Sequence, residues 1–352
     1  MKNVSIDDWD WCIDDESRLD PWFRIYHEVE EKFTVKSDDT TQVFRVQDSR
    51  QRSYFVKHIS PNSIREHLIA FFSSKAKNIF ESSQLLHAEG IPCAEYPGWA
   101  KNGTDSMLLS QEIPDTVPAL EYWFRTAAQD SARHREFVSV LADLTANCTT
   151  SSIIIPQISL DNILVRTDGS AMYIINPLDA EKKDDSLSED ERLPYLTPFI
   201  ELRGEISPED MSIDLHESGF SGNSIDVAEL MHKRIDALEE EIENGSWPDY
   251  AAHVLEGEAG ALYRTVTKPN SILRIRNTIW RTALPEPDDS NSTPEDFHDE
   301  EAEEGWIDSF KAQLLRYHCA KVPLSWEQFE DGRNIVRFAT NYDDILACGF
   351  NQ

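Results

Sequence analysis

Lys57 ends the run Tyr54-Phe-Val-Lys, placing a cation at the close of an apolar stretch. Farther on, Gln157, Asp161 and Asn162 fall in one polar loop between β-branched runs, and Asn176 and Asp179 follow Met172-Tyr-Ile-Ile. A lysine ammonium grips anionic oxygens, while a carboxylate can take up a proton or hold a hard dication. An amide can orient a hydroxyl or a water, but it offers no base with a useful pKa, and its carbonyl is a neutral ligand. This polar set is rich in amides and thin in acids. Sulfur chemistry is not indicated. The five cysteines, Cys12, Cys93, Cys148, Cys319 and Cys348, are odd in number and widely spread, with no CxxC pair. They read as free thiols, used as small buried hydrophobes.

The elements that must position these groups can be read from periodicity. From Lys32 the sequence KFTVKSDDTTQVFRVQDSRQRSYFVKHI alternates apolar and polar residues in three short runs, the pattern of an antiparallel meander. Phe33 and Val35, then Val43 with Phe44 or Val46, then Phe55 beside Lys57 would face inward. After Pro61 a helical stretch places Leu68, Phe72, Ala76, Ile79 or Phe80, Ser83 and Leu86 at three- and four-residue steps, with Gly90 as its left-handed end. Two further strands are expected at 92–99 and 107–113, separated by the turn Lys101-Asn-Gly-Thr. Beyond Pro114 come the helices ALEYWFR and ARHREFVSVLADLTANC, the latter with a stripe of Phe137, Val140, Leu141 and Leu144. IIIPQISLDNILV and AMYII then suggest a small hairpin flanking a loop, turning at Arg166-Thr-Asp-Gly-Ser. A later helix over 224–245 carries Val227, Leu230, Met231, Ile235, Leu238 and Ile242 on one face.

The chain has 352 residues, enough for a sizeable core in two lobes with tails. Apolar residues make up 40% of it, and no apolar run approaches the roughly 20 residues of a membrane-spanning helix. The opening residues, MKNVSIDDWDWCIDDE, do not resemble a secretion signal, so cytoplasm is the expected location. With 65 acidic against 33 basic residues, the charge of −32 argues against nucleic acid and anionic lipid as partners. The expected divisions are an aromatic, acidic extension (1–30), an N-terminal lobe (31–113), a C-terminal lobe (114–284), an acidic flexible linker (285–304) and a helical segment (305–352) that contains Trp306.

From Lys32 to Ala180 the chain resembles the lipopolysaccharide (Kdo/heptose) kinases, relatives of the protein kinases. The residues that carry this are Val43-Phe-Arg-Val, Tyr54-Phe-Val-Lys57, Ser74-Lys-Ala, Phe80-Glu81, Gly90-Ile-Pro92, Asn162-Ile-Leu-Val and Met172-Tyr-Ile-Ile-Asn176. The resemblance implies an α+β fold of two lobes: a five-stranded antiparallel sheet with one long helix, then a mainly helical lobe. It also implies ATP with Mg²⁺ as cofactor and a sugar-bearing acceptor.

Phosphoryl transfer needs a cation on the phosphates, a carboxylate and a second oxygen on the metal, and a base near the acceptor hydroxyl. Under the resemblance Lys57 makes the phosphate contact; the other reading is a lysine snorkelling from an exposed strand. Glu112 and Ile113 are implied as nucleotide-binding. The helix glutamate that orients such a lysine is replaced by Ile79. Glu81, two residues and about 200° further round, is the substitute or an ordinary exposed carboxylate. Ile155 and Gln157 stand where the catalytic loop has its His and Asp, so Gln157 offers no base. Asp161 compensates or caps a turn. Asn162 is the companion metal ligand or a turn-closing amide, and Asn176 replaces the metal-binding Asp. Asp179 could return a charge, but Pro177 alters the loop. Glycine is absent from SDDTTQ, where a phosphate-covering loop would lie, and Asp38 and Asp39 repel phosphate there.

Three readings follow. The first is a pseudokinase with little or no phosphotransfer, which binds a protein partner or, weakly, a nucleotide. The second is an active atypical kinase that uses Asp161 and Asp179 on a sugar hydroxyl of lipopolysaccharide or a small acceptor. A basic block holding Arg274, Arg276 and Arg281 would meet that acceptor, or is simply a solvated face. The third drops nucleotide altogether and leaves the aromatic N-terminus and the Trp306 segment as docking elements.

Overall fold

The computed structural model describes residues 2–6, 8–13, 33–37, 41–47, 52–61, 67, 70, 74–156, 158–202, 215, 227–244, 271–276, 292–297, 323–329 and 334–339. The chain divides into two units, residues 1–195 with 217–222, and residues 196–216 with 223–352.

The first unit opens with a hairpin, β1 (Lys2–Ile6) and β2 (Trp9–Ile13), turning at Asp8 with φ 67°. The expected meander follows as β3 (Phe33–Ser37), β4 (Thr41–Gln47) and β5 (Ser53–Ile59). Helix α1 (Lys75–Ala88), β6 (Gly98–Asn102) and β7 (Asp105–Gln111) come next. All the strands join one antiparallel sheet in the order β1-β2-β6-β7-β5-β4-β3. The five-stranded sheet expected from sequence is therefore seven-stranded, because the N-terminal extension supplies two strands. In WDWCI the residues Trp9, Trp11 and Ile13 are buried and alternate with Asp10 and Cys12, so a period of two lies beneath the acidic composition. The strand expected at 92–99 begins only at Gly98. A side chain there would come within 2.7 Å of the Cys12 carbonyl oxygen, so only glycine lets β6 lie against β2.

Helical conformation is present at His67 and Ala70, but Ser74 is extended and restarts the helix. Its Oγ accepts the Lys77 N–H at 3.4 Å. The expected stripe is all inside: Ala76, Ile79, Phe80, Ser83 and Leu86 are each 0% exposed, while Leu68 and Phe72 lie outside the described residues. The helix ends as anticipated. Gly90 has φ 74°, its N–H bonds the His87 carbonyl, and the Ile91 N–H bonds that of Leu86, with both Ile91 and Leu86 buried.

Then come β8 (Thr116–Pro118), α2 (Ala119–Arg125), α3 (Ser131–Thr150), β9 (Ile153–Ile154), β10 (Ile163–Arg166), β11 (Met172–Ile174), β12 (Glu181–Lys182) and α4 (Glu189–Arg192). On α3 the residues Phe137, Val138, Leu141 and Leu144 are buried, so Val138 takes the place expected for Val140. The expected hairpin is β10–β11, with β8 on its other side, and β12 pairs with β9.

The second unit holds α5 (Thr197–Ile200) and α6 (Val227–Asn244), with Leu230, Met231 and Ile235 buried. It also holds β13 (Ser271–Arg276), β14 (Ser292–Phe297), β15 (Pro323–Phe329) and β16 (Asn334–Ala339), in one sheet ordered β13-β15-β16-β14. These strands depart from expectation: β14 lies within the stretch read as a linker, and β15 and β16 within the segment read as helical. STPEDF is acidic but is paired residue for residue with β16, and PLSWEQF and NIVRFA are too short for a helical period to outweigh partner pairing. The indole N–H of Trp326 reaches the Asn334 side-chain oxygen at 3.1 Å inside this sheet. Arg274 and Arg276 stand on β13, opposite Glu327 and Ser325. Arg281 and Trp306 lie outside the described residues.

Candidate functional site

Alternation along β5 assigns each side chain to a face of the sheet. Tyr54 and Val56 join Trp9, Trp11, Ile13, Ala100 and Leu109 in one apolar cluster. Lys57, their neighbour, falls on the other face, opposite Val43 of β4 and Leu108 of β7. This is the face that α1 covers, and Leu108 and Ile59 pack there with Ala76, Ile79 and Phe80. Lys57 is half-buried.

No α1 carboxylate faces this side of the sheet. Ile79 is sealed among Ala76, Phe80, Ala94, Tyr96 and Leu108, and Ile175 and Leu178 pack on the same cluster. Glu81, rotated just over half a turn from Ile79, is 56% exposed and pairs with Lys77 at 3.6 Å. At the end of β7, Glu112 is gripped by the Arg45 guanidinium at 2.8 Å, and its N–H donates to the Ser53 carbonyl. The Ile113 carbonyl accepts from Thr116 Oγ1 at 2.8 Å.

The loop between β9 and β10 is held from outside. Tyr195 Oη donates to the Ile153 carbonyl at 2.6 Å and accepts the Ile155 N–H at 3.0 Å. Ile155 is buried, which suits an apolar residue where an imidazole was sought. Gln157 lies outside the described residues. Asp161 is half-buried in the single turn Leu160–Asn162, and Asn162 closes that turn through its N–H to the Ser159 carbonyl.

The β10–β11 register sets Asn162 beside Ile175, whose N–H donates to the Asn162 carbonyl at 2.8 Å. Asn176 follows in the left-handed region, φ 51°, and donates its N–H to Tyr96 Oη at 2.7 Å. Burial holds the Tyr96 phenol protonated, raising its pKa well above the ordinary value. Two residues past Pro177, Asp179 Oδ1 accepts from Asn78 Nδ2 at 2.9 Å, and the Ala180 N–H donates to Ser82 Oγ at 2.9 Å. Asn78 and Ser82 are one turn apart on α1 and flank Ile79, so the loop is pinned polar-apolar-polar along the helix.

This geometry brings Asn162, Asn176 and Asp179 to one end of the hairpin and sets Glu81 apart from them. The sequence resemblance to the lipopolysaccharide kinases implies a divalent cation here. Asn162 and Asn176 bring neutral amide oxygens, and one oxygen of Asp179 is already bonded to α1. Among the described residues no three His, Cys, Asp or Glu side chains converge. Such a donor set does not fit Mg²⁺, a hard ion that favours anionic oxygens. Sequence reasoning missed Tyr96, Asn78, Ser82 and Tyr195. Each acts on a partner 40 or more positions away, and no local pattern marks such a pair. At Cys93 and Cys148 thiolate chemistry is likewise unsupported, because burial pushes both thiols up to about 12, although His87 Nε2 lies 3.4 Å from Cys93 Sγ; Cys319 and Cys348 lie outside the described residues.

The chain is α+β, with an antiparallel sheet and several helices. Among the described residues no helix is long and apolar enough to cross a membrane. No family profile matches the chain, and no curated protein matches it. Among solved structures it is similar to WaaP in complex with acyl carrier protein, at 15% identity and a TM-score of 0.45, over 70% of this chain and 99% of that one. It is also similar to the autoinhibited serine kinase domain of the giant muscle protein titin, at 13% identity and a TM-score of 0.35, over 57% of this chain and 73% of that one.

Proposed function

We propose that this chain is a lipopolysaccharide-kinase-like pseudokinase: a kinase-like scaffold with little or no phosphotransfer, acting through a protein partner or through weak, metal-independent nucleotide binding. The observation that carries this reading is Ile79, 0% exposed at the place where α1 would present a carboxylate to Lys57. A carboxylate placed there would enter an apolar cluster, so the site is built for packing and not for an ion pair. The amide of Asn176 supports it further, since it lacks the charge of the metal-binding Asp it replaces, a role that acts together with the others in phosphoryl transfer.

Two measurements test the proposal. ATP should be turned over no faster than in buffer, and any rise in unfolding midpoint with ATP or ADP should be the same with Mg²⁺ and with EDTA. Mg²⁺-dependent turnover that Lys57→Ala abolishes would overturn it. If that turnover were also lost in Asp179→Ala and Asp161→Ala, the active atypical kinase acting on a sugar hydroxyl would take its place.

A further inference from the structure

We propose that the β1 edge of the large sheet takes up an extended, basic segment of a partner protein as an added strand. The two edges of this sheet differ. β3 is paired to β4 with a register shift between Thr34 and Lys36, the kind of bulge that discourages further pairing. β1 is paired to β2 without interruption from Lys2↔Ile13 to Ile6↔Trp9, and it contains no proline. Among the described residues no strand lies beyond it. Alternate residues of an edge strand turn their N–H and C=O groups away from the sheet, where an extended chain can ladder onto them.

The face beside this edge is shaped to receive side chains. Val4 and Ile6 point into the Trp9 and Trp11 cluster, so Asn3 and Ser5 stand on the opposite face, both exposed. On that face lies an open concavity of about 730 Å³ whose lining includes Asn3, Ser5, Asp8, Asp10, Trp99 and Lys101. Helix α1 packs over β6 and β7, and among the described residues no helix makes a contact of that extent with β1 or β2. Ser5 Oγ donates to Asp10 Oδ1 at 2.7 Å and orients that carboxylate, while Lys101 directs its ammonium to the Ala70 carbonyl at 3.1 Å. A carboxylate beside a partly exposed indole suits a guanidinium or ammonium, and a strand added to β1 would project every second side chain towards them.

Charge selects the occupant. A chain of net charge −32 attracts a basic segment and repels a second copy of itself. The site uses neither Lys57 nor the hairpin residues, so it goes beyond the reading of the cleft and stands or falls separately from it.

The test uses the full chain, with a fluorescein-labelled decapeptide of alternating arginine and threonine followed by anisotropy at physiological ionic strength. Three analogues or variants accompany it: the same peptide N-methylated at every second residue, a glutamate-threonine peptide, and the chain carrying Asp10→Lys. The basic peptide should bind. N-methylation and Asp10→Lys should each weaken it by about tenfold or more, and the glutamate peptide should not bind. Lys57→Ala should leave the affinity unchanged. The peptide comparison does not depend on how the variant folds. Equal binding of the N-methylated peptide would reduce the interaction to bulk electrostatics, and failure of the basic peptide to bind would remove it; either overturns the proposal. So would a concentration-dependent dimer that the peptide does not dissociate, which would assign the edge to a second copy.

Discussion

Tyr96 fixes the place where the hairpin leaves β11, because its hydroxyl takes the Asn176 N–H while Asn176 sits at a positive φ. Tyr96→Phe keeps the ring but leaves a partly buried N–H without its acceptor, so the folded state should lose about 1–2 kcal/mol in denaturant unfolding. An unchanged midpoint would mean that water serves equally well, and that the pin is incidental. At this scale the sequence was most legible where a residue type was missing. The resemblance put Ile79 where the lipopolysaccharide kinases keep a glutamate, helical rotation then put Glu81 on the far side of the helix, and the structure finds the one sealed and the other exposed beside Lys77. The partners that organise the loop were not legible. Asn78 and Asp179 are 101 positions apart, and neither carries a local sign of the other.

Helix α3 shows how an element can carry its own pH response. Asp130 caps it, its Oδ1 accepting from the Ala132 N–H at 2.8 Å and the Arg133 N–H at 3.0 Å. Those bonds, that of Arg133 foremost, hold the carboxyl below its ordinary value of 3.8. A depressed folded pKa contributes stability that is present above the unfolded value and lost as pH falls through the folded one. Asn also caps helices but does not titrate. The advantage of the wild type over Asp130→Asn in thermal midpoint should therefore shrink between about pH 5 and about pH 3. A constant difference across that range would show that the charge of Asp130 does not matter to the helix. Gly90 was legible as the end of α1, whereas Ser74 lay inside the helical stretch as read after Pro61 and the Asp130 cap of α3 was not singled out. The β1–β2 hairpin was missed because Asp10 and the other acids beside Trp9 and Trp11 look like a solvated tail until the period of two is counted. β15 and β16 were missed for the opposite reason. Six or seven residues hold neither period firmly, and their strand state depends on pairing with β13 and β14 far away in sequence.

The whole chain carries 65 acidic residues against 33 basic ones, and folding brings those like charges closer together than they are in the unfolded chain. Such ion pairs as the first unit shows are surface contacts between groups a third or more exposed on at least one side, for example Lys182–Glu89 and Arg45–Glu112. Pairs of this kind contribute little each and weaken with salt. The two effects oppose one another as ionic strength rises, and their balance decides the sign. Screening acts on the full excess of 32 negative charges, whereas it weakens only a modest set of pairs, so relief of repulsion should dominate. Raising sodium chloride from about 0.01 M to about 0.15 M shortens the screening length from roughly 30 Å to roughly 8 Å, a change from domain size to side-chain reach. The calorimetric midpoint should therefore rise over that interval, and it should rise by a similar amount with potassium chloride, because screening depends on ionic strength and not on the cation. A midpoint that falls would mean that the ion pairs outweigh the repulsion. A rise with divalent salt alone, at matched ionic strength, would point instead to specific binding and would count against the amide-lined hairpin end as a poor home for Mg²⁺.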